Sequence, residues 1–244
     1  MNPFCRDLRR ALPAFLPLLV AATCHAGSIQ LTPVRVNLSA AAKVAVLTVH
    51  NTGAEDSVMQ VTLNKWTLDG QQYAYRQSQE LVITPATFRL APGKQQIIRI
   101  GLRDDLPQAN EAAYRLLVEE VPGPPPPNFS GARLVVRHDV PVFVAPSGAA
   151  RASLDVAVEC AGSSARLRMA NIGNVHAQLR HVAIESLADK KLLGSWDTFD
   201  YLLPNAQKSW PLAEAAPAAV GKRFMVTAHT DQGAFSADVT NTCP

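Results

Sequence analysis

The stretch that most constrains this chain is Pro122 to Val144, PGPPPPNFSGARLVVRHDVPVFV. Proline at 122 and from 124 to 127 excludes both helix and central strand there. Beyond it, Ala132 to Val144 alternates as an extended strand does. Ala132, Leu134, Val136, His138 and Val140 fall on one face, and Arg133, Val135, Arg137, Asp139, Pro141 and Phe143 on the other. A strand introduced by such a segment, with Pro141 inside it, belongs at a sheet edge. An edge with a row of apolar side chains invites another chain to pair with it.

The chain begins with an address label. Arg6, Arg9 and Arg10 precede the apolar run Ala11 to Ala22, and Cys24-His25-Ala26 is a small-residue end, so residues 1–26 read as a secretory signal peptide cleaved after Ala26. The run is short for a membrane anchor and is broken by Pro13 and Pro17. A lipid anchor through Cys24 is disfavoured by Thr23. Cleavage takes away Cys5 and Cys24 and leaves Cys160 and Cys243. In an exported chain two cysteines suggest one disulfide, worth about 2–4 kcal/mol by restricting the unfolded chain; two separate buried thiols are the alternative. The net charge falls from +3 to +1 when three arginines and one aspartate leave with the leader. No basic field for nucleic acid remains.

Roughly 218 residues suffice for two domains. In the first, residues 27–146, strand signals recur at 28–38, 43–50, 57–68, 81–90, 95–102 and 132–144. Asn51-Thr52-Gly53, Asp69-Gly70 and Ala91-Pro92-Gly93-Lys94 supply turns between them. Ala112 to Val121 has helical propensity, but its place between strands and its end at Pro122 favour strand. Seven short strands in about 120 residues describe an immunoglobulin-like sandwich. After Ser147-Gly148-Ala149-Ala150, a small-residue hinge, strands are expected at 152–160, 165–170, 177–186, 208–212, 223–229 and 234–240, giving a second sandwich over 150–244. The expected fold class is all-β.

Several segments carry a family resemblance. Ile83-Thr84-Pro85-Ala86-Thr87-Phe88-Arg89-Leu90-Ala91-Pro92-Gly93 followed by Gln96-Ile97-Ile98-Arg99-Ile100, then Tyr114 to Pro122 and the strand after it, resemble periplasmic pilus-assembly chaperones of the chaperone–usher pathway. The turn Ala170 to His176 and Tyr201-Leu202-Leu203-Pro204-Asn205 with Trp210 resemble the second domains of the archaic, spore-coat-protein-U-associated branch. The resemblance implies two immunoglobulin-like domains set at an angle, with a cleft that cradles a pilus subunit. It implies a periplasmic protein that caps the subunit by lending it a strand and hands it to an outer-membrane usher. Strand lending by these chaperones is a known form of β-strand addition.

The same resemblance makes Ala132, Leu134, Val136, His138 and Val140 the lent side chains, although alternation alone leaves open that they face this domain's own core. It makes Arg35 the candidate anchor for the subunit's C-terminal carboxylate, against the plainer reading of a solvated surface arginine. The family's second cation falls at Pro141, which cannot supply one; Arg89 and Arg99 are substitutes by charge alone. Free chaperone can self-associate to cover its edge.

Two other functions fit the sequence less well. An enzyme lacks support: His176 and His181 fall on opposite faces of an extended strand, with no cysteine or carboxylate cluster to complete a metal site, and there is no Gly-x-Ser-x-Gly elbow or phosphate-cradling glycine loop. No catalytic residue, metal or cofactor is expected. A secreted structural or adhesive pilus component would carry a free alternating arm directly after the leader, but Ser28 to Leu38 is interrupted by Pro33 and Arg35.

Overall fold

The computed structural model describes residues 29–69, 72–103, 109–124, 135–161, 164–212 and 222–240, so the signal peptide lies outside the described residues. Every regular element among them is a strand. In the first sandwich β1 (Ile29–Thr32), β3 (Val44–Asn51), β8 (Gln95–Leu102) and β6 (Leu81–Thr84) form one sheet in that order. The other runs β2 (Val36–Leu38), β10 (Arg137–Val144), β9 (Ala112–Glu120), β4 (Ser57–Asp69) and β5 (Gln72–Gln77), with β7 (Thr87–Leu90) also beside β4.

Two expected strands are each divided. Residues 28–38 become β1 and β2, and residues 81–90 become β6 and β7, each pair split between the two sheets. Proline is the local reason: Pro33 and Pro85 have no N–H to continue a ladder, and the chain crosses between sheets there. Ala112–Glu120 is a strand despite its helix-forming composition, because β10 and β4 pair with it on either side. Tyr114, Leu116 and Val118 enter the core, while Arg115 and Leu117 face the other way. Sequence alternation missed β5, a solvated edge strand paired with β4 alone.

The second sandwich sets β11 (Leu154–Ala161), β12 (Ser164–Asn171) and β16 (Gln207–Pro211) against β14 (Leu192–Asp197), β13 (Ala177–Ser186), β17 (Arg223–Thr230) and β18 (Gly233–Thr240), with β15 (Tyr201–Leu202) beside β13. β14 and β15 were not expected; β14 buries none of its side chains fully and lacks a clean alternation.

Each sandwich has its own apolar core, one around Leu47, Ile98, Leu116 and Val142, the other around Leu167, Leu179, Ile184 and Val226. Both use the same corner. The buried Asn51 side chain donates to Leu90 O (2.9 Å) and Glu55 O (2.7 Å) and accepts from Gly53 N (2.9 Å). Asn171 donates to Leu202 O (2.9 Å) and Val175 O (2.7 Å) and accepts from Gly173 N (2.9 Å). Carbonyls that no ladder reaches are thereby satisfied. At Gly173 a β-carbon would lie 2.3 Å from Arg151 O, so the interdomain segment closes against a position only glycine can fill.

Candidate functional site

Strand β10 has two different edges. Along its whole length it pairs antiparallel with β9, Arg137 opposite Glu119 through Val144 opposite Ala112. On the other side β2 joins it in parallel at Val142–Val144 only. From Arg137 to Pro141 that second edge has no strand against it among the described residues. Val136 O accepts from Glu120 N (3.2 Å), and Ala145 N donates to Leu38 O (2.9 Å). Even positions therefore direct their backbone groups at β9 and odd ones away from it. The open edge carries the N–H and C=O of Arg137 and Asp139. Pro141 also points its backbone there, so its missing N–H breaks no bond.

The side chains alternate in the same register. On the even face Val140, Val142 and Val144 are buried in the first sandwich's core. Val140, expected in the lent set, is 4% exposed and packed into its own domain's core, cross-strand from Leu116 of β9, although β2 does not reach it. Burial there is worth roughly 1.5–3 kcal/mol, and a side chain holding that place cannot also fill a partner's groove. Val136 and His138 are half-buried. His138 Nε2 is buried with no hydrogen-bond partner among the described residues. Ala132 and Leu134 lie outside the described residues.

The odd face of β10 looks toward the second sandwich. Phe143 joins Trp66, Ala113, Leu203 and Ala206 in an apolar cluster between the domains, with Tyr73 and Tyr201 packed against it. Tyr73 OH donates to Asp200 Oδ1 (3.0 Å) and accepts from Tyr201 N (2.8 Å), and Lys208 reaches the same carboxylate. Burial, together with the Asp200 carboxylate, pushes the Tyr73 hydroxyl well above its usual range, so it stays a neutral donor. A cleft of about 600 Å³ beside the cluster is lined by Lys65, Trp66, Asn110, Leu203 and Asn205, and includes neither β10 nor Arg115.

Arg35, between β1 and β2, is not free. Its Nη1 lies 2.9 Å from Asp231 Oδ2 in the second sandwich. Asp231 is the hub of a buried charge cluster. His176 Nε2 sits 3.4 Å from Asp231 Oδ2, an ionic contact longer than a good hydrogen bond, and His176 Nδ1 sits 2.7 Å from Glu111 Oε1. The imidazole stacks on Phe143 at 3.7 Å between ring centroids. Burial alone would lower the His176 pKa, but the facing Asp231 and Glu111 carboxylates outweigh it and the net shift is upward. Asp231 is likewise opposed by burial, yet His176, Gln178 N–H and Arg35 hold its pKa down at about 2.

A cation that sequence reasoning passed over stands where Pro141 left a gap. Arg115 is directly cross-strand from Pro141 on β9, so both side chains share the face toward the second sandwich. Its guanidinium lies 3.7 Å from the Trp66 ring centroid and 5.5 Å from that of Tyr201, a cation–π seat. Its side chain is 14% exposed, and among the described residues its Nε has no partner and its ion-pair contact is Asp139 at 3.5 Å. The signal in the sequence was register: once 137–144 pairs with 112–119, Arg115 falls opposite Pro141. Arg89 is tied to Asp56 at 2.9 Å on the surface, and Arg99 is exposed on β8 in the opposite sheet. Cys160 is disulfide-bonded, and Cys243 lies outside the described residues.

Residues 28–150 match the family described as pili and flagellar-assembly chaperone, PapD N-terminal domain. The chain belongs to that family. Among this chaperone family's curated members it is 28% identical over 145 residues to chaperone protein LpfB of Salmonella typhimurium, covering 58% of this chain and 60% of that one. It is 29% identical over 136 residues to the probable fimbrial chaperone LpfB of Escherichia coli O157:H7, covering 54% and 56%. The matches thus span less than two thirds of these relatives. Two solved chaperone structures share the fold over nearly their whole length. In the CsuC–CsuE chaperone–tip adhesion subunit complex of Acinetobacter baumannii the TM-score is 0.63 at 20% identity, over 88% of this chain and 99% of that one. For the class 5 fimbriae chaperone CfaA it is 0.64 at 14% identity, over 87% and 99%. The fold is that of the two-domain, all-β chaperones.

Proposed function

We propose that this protein is a periplasmic chaperone of the chaperone–usher pathway, of its archaic branch. It captures pilus subunits by lending them the strand that leads into β10 and delivers them to an outer-membrane usher. The observation that carries this reading is the half-covered edge of β10: closed by β2 at Val142–Val144 and, among the described residues, open from Arg137 to Pro141. A subunit strand laid along the open part would bond to the backbone of Arg137 and Asp139, while Val136, and Leu134 and Ala132 before it, entered its groove as alternating side chains. Leu134 and Val136 supply roughly 1.5–3 kcal/mol each, and the smaller Ala132 methyl and the backbone bonds add to them against the cost of ordering the strand.

The subunit's C-terminal carboxylate finds its anchor at Arg115, not at Arg35. Arg35 already holds Asp231, whereas Arg115 has a spare Nε–H and only a 3.5 Å contact to a partly exposed carboxylate. A charge-assisted bond to a desolvated guanidinium is the strong kind. Cys160 is assigned Cys243 as its disulfide partner; a mature chain whose mass rises by two hydrogens on reduction, with both thiols then alkylated, tests that pairing.

The deciding experiment is periplasmic co-expression with the pilin-type subunit encoded in the same gene cluster. The wild type yields a soluble heterodimer. Val136→Asp folds with an unchanged melting midpoint but leaves the subunit to proteolysis. Normal subunit yield with Val136→Asp sinks the donor-strand reading.

A further inference from the structure

The lent strand holds one polar side chain on its apolar face. His138 shares that face with Val136 and with core-bound Val140, and it stands across from Val118, which is fully buried. It sits at the last position before the strand's own core begins, on the stretch whose outer edge is open. Its Nε2 is already shielded from solvent and makes no hydrogen bond among the described residues. A shielded polar atom without a partner costs on the order of 1–3 kcal/mol, and groups so placed in folded proteins are nearly always satisfied. Valine or leucine would fill the same place at no such cost. An unpaired imidazole nitrogen at an open edge is therefore a demand that the next strand has to meet.

We infer that His138 is a specificity-determining residue: the subunits this chaperone accepts carry, in the groove pocket that receives position 138, a polar side chain (hydroxyl, carboxamide or carboxylate) that bonds the imidazole. This rests on the donor-strand reading. With the subunit strand in place the ring loses its remaining water, so an all-apolar pocket leaves both nitrogens unpaired, while a polar one pairs Nε2 and is itself paired. Discrimination then comes from the penalty on the wrong partner as much as from the bond to the right one. A subunit with a wholly apolar groove is rejected by the same atom that holds its polar counterpart.

The test uses the full-length mature chaperone and the pilin-type subunit of its own gene cluster. His138→Leu removes the demand and strands the subunit's polar group, so heterodimer dissociation is expected to accelerate about 10-fold. His138→Gln places an amide near the Nε2 position and is expected to recover most of that loss. In the wild-type complex with 15N-labelled histidine, the His138 Nε2 resonance should move to a hydrogen-bonded position. If His138→Leu binds as tightly as wild type or tighter, the pocket is apolar and the inference fails. Val136→Asp separates the two levels. Lost capture with Val136→Asp beside tight binding by His138→Leu overturns this inference alone; retained capture with Val136→Asp overturns the donor-strand reading beneath it.

Discussion

The two halves of β10 have one alternation and different fates. From Val140 to Val144 the even side chains are sealed into the first sandwich, with β9 on one side and, from Val142, β2 on the other. From Val136 to Asp139 the same alternation continues, but β2 is gone and the side chains are half-buried or exposed. Pattern is equal; neighbours are not. Parity alone does not set burial; what packs against each stretch does, so one strand can be structural at one end and available at the other.

The same charge placed in each half should separate the two most strongly. Val142→Asp buries a carboxylate with no partner and should cost about 3–5 kcal/mol, visible as a large drop in the urea midpoint. Val136→Asp should leave that midpoint within about 0.5 kcal/mol of wild type, the usual range for an accessible position. Equal destabilisation by the two would mean the strand is uniformly structural.

Next in size is Arg115→Ala. It removes the proposed anchor while leaving Val136 untouched, and subunit affinity should fall about 10- to 100-fold. Titrating chaperone with the separately expressed subunit reads this. A change under about 2-fold would return the anchor to another cation.

A smaller effect comes from the charge cluster behind Phe143, which joins the closed half of β10 to the second sandwich. Because the His176 pKa is raised on folding, its contribution is fully present below the unfolded value of about 6.5 and fades as pH climbs through the raised folded value. Asp231 runs the other way: its contribution is present above its unfolded pKa of 3.8 and is lost as pH falls toward about 2. The thermal midpoint should therefore decline from pH 6 toward the alkaline side, and His176→Gln should flatten that decline. A slope unchanged in His176→Gln would assign it to another group.

The smallest expected change is in Arg35→Ala. With Asp231 as its existing partner, Arg35 should affect subunit affinity less than about 3-fold while trimming stability by under about 1 kcal/mol, as a partly exposed ion pair does. A loss as large as that of Arg115→Ala would restore it as the anchor.

Much of this was legible before folding was considered. The alternation of 43–50, the Asn-x-Gly corners at Asn51 and Asn171 and the edge character announced by Pro141 all follow from local chemistry. So does the periodicity that puts Val136, His138 and Val140 on one face, because side-chain direction in an extended chain depends only on parity. What required the tertiary structure was every fact about neighbours. That β2 covers three residues of β10 and stops, that Val140 falls inside that domain's core, and that Arg115 lies across from Pro141 all depend on strand register. So does the pairing of Arg35 with Asp231, 196 residues away. Periodicity is written into consecutive residues; register is settled by contacts between distant ones, and only the folded chain brings those together.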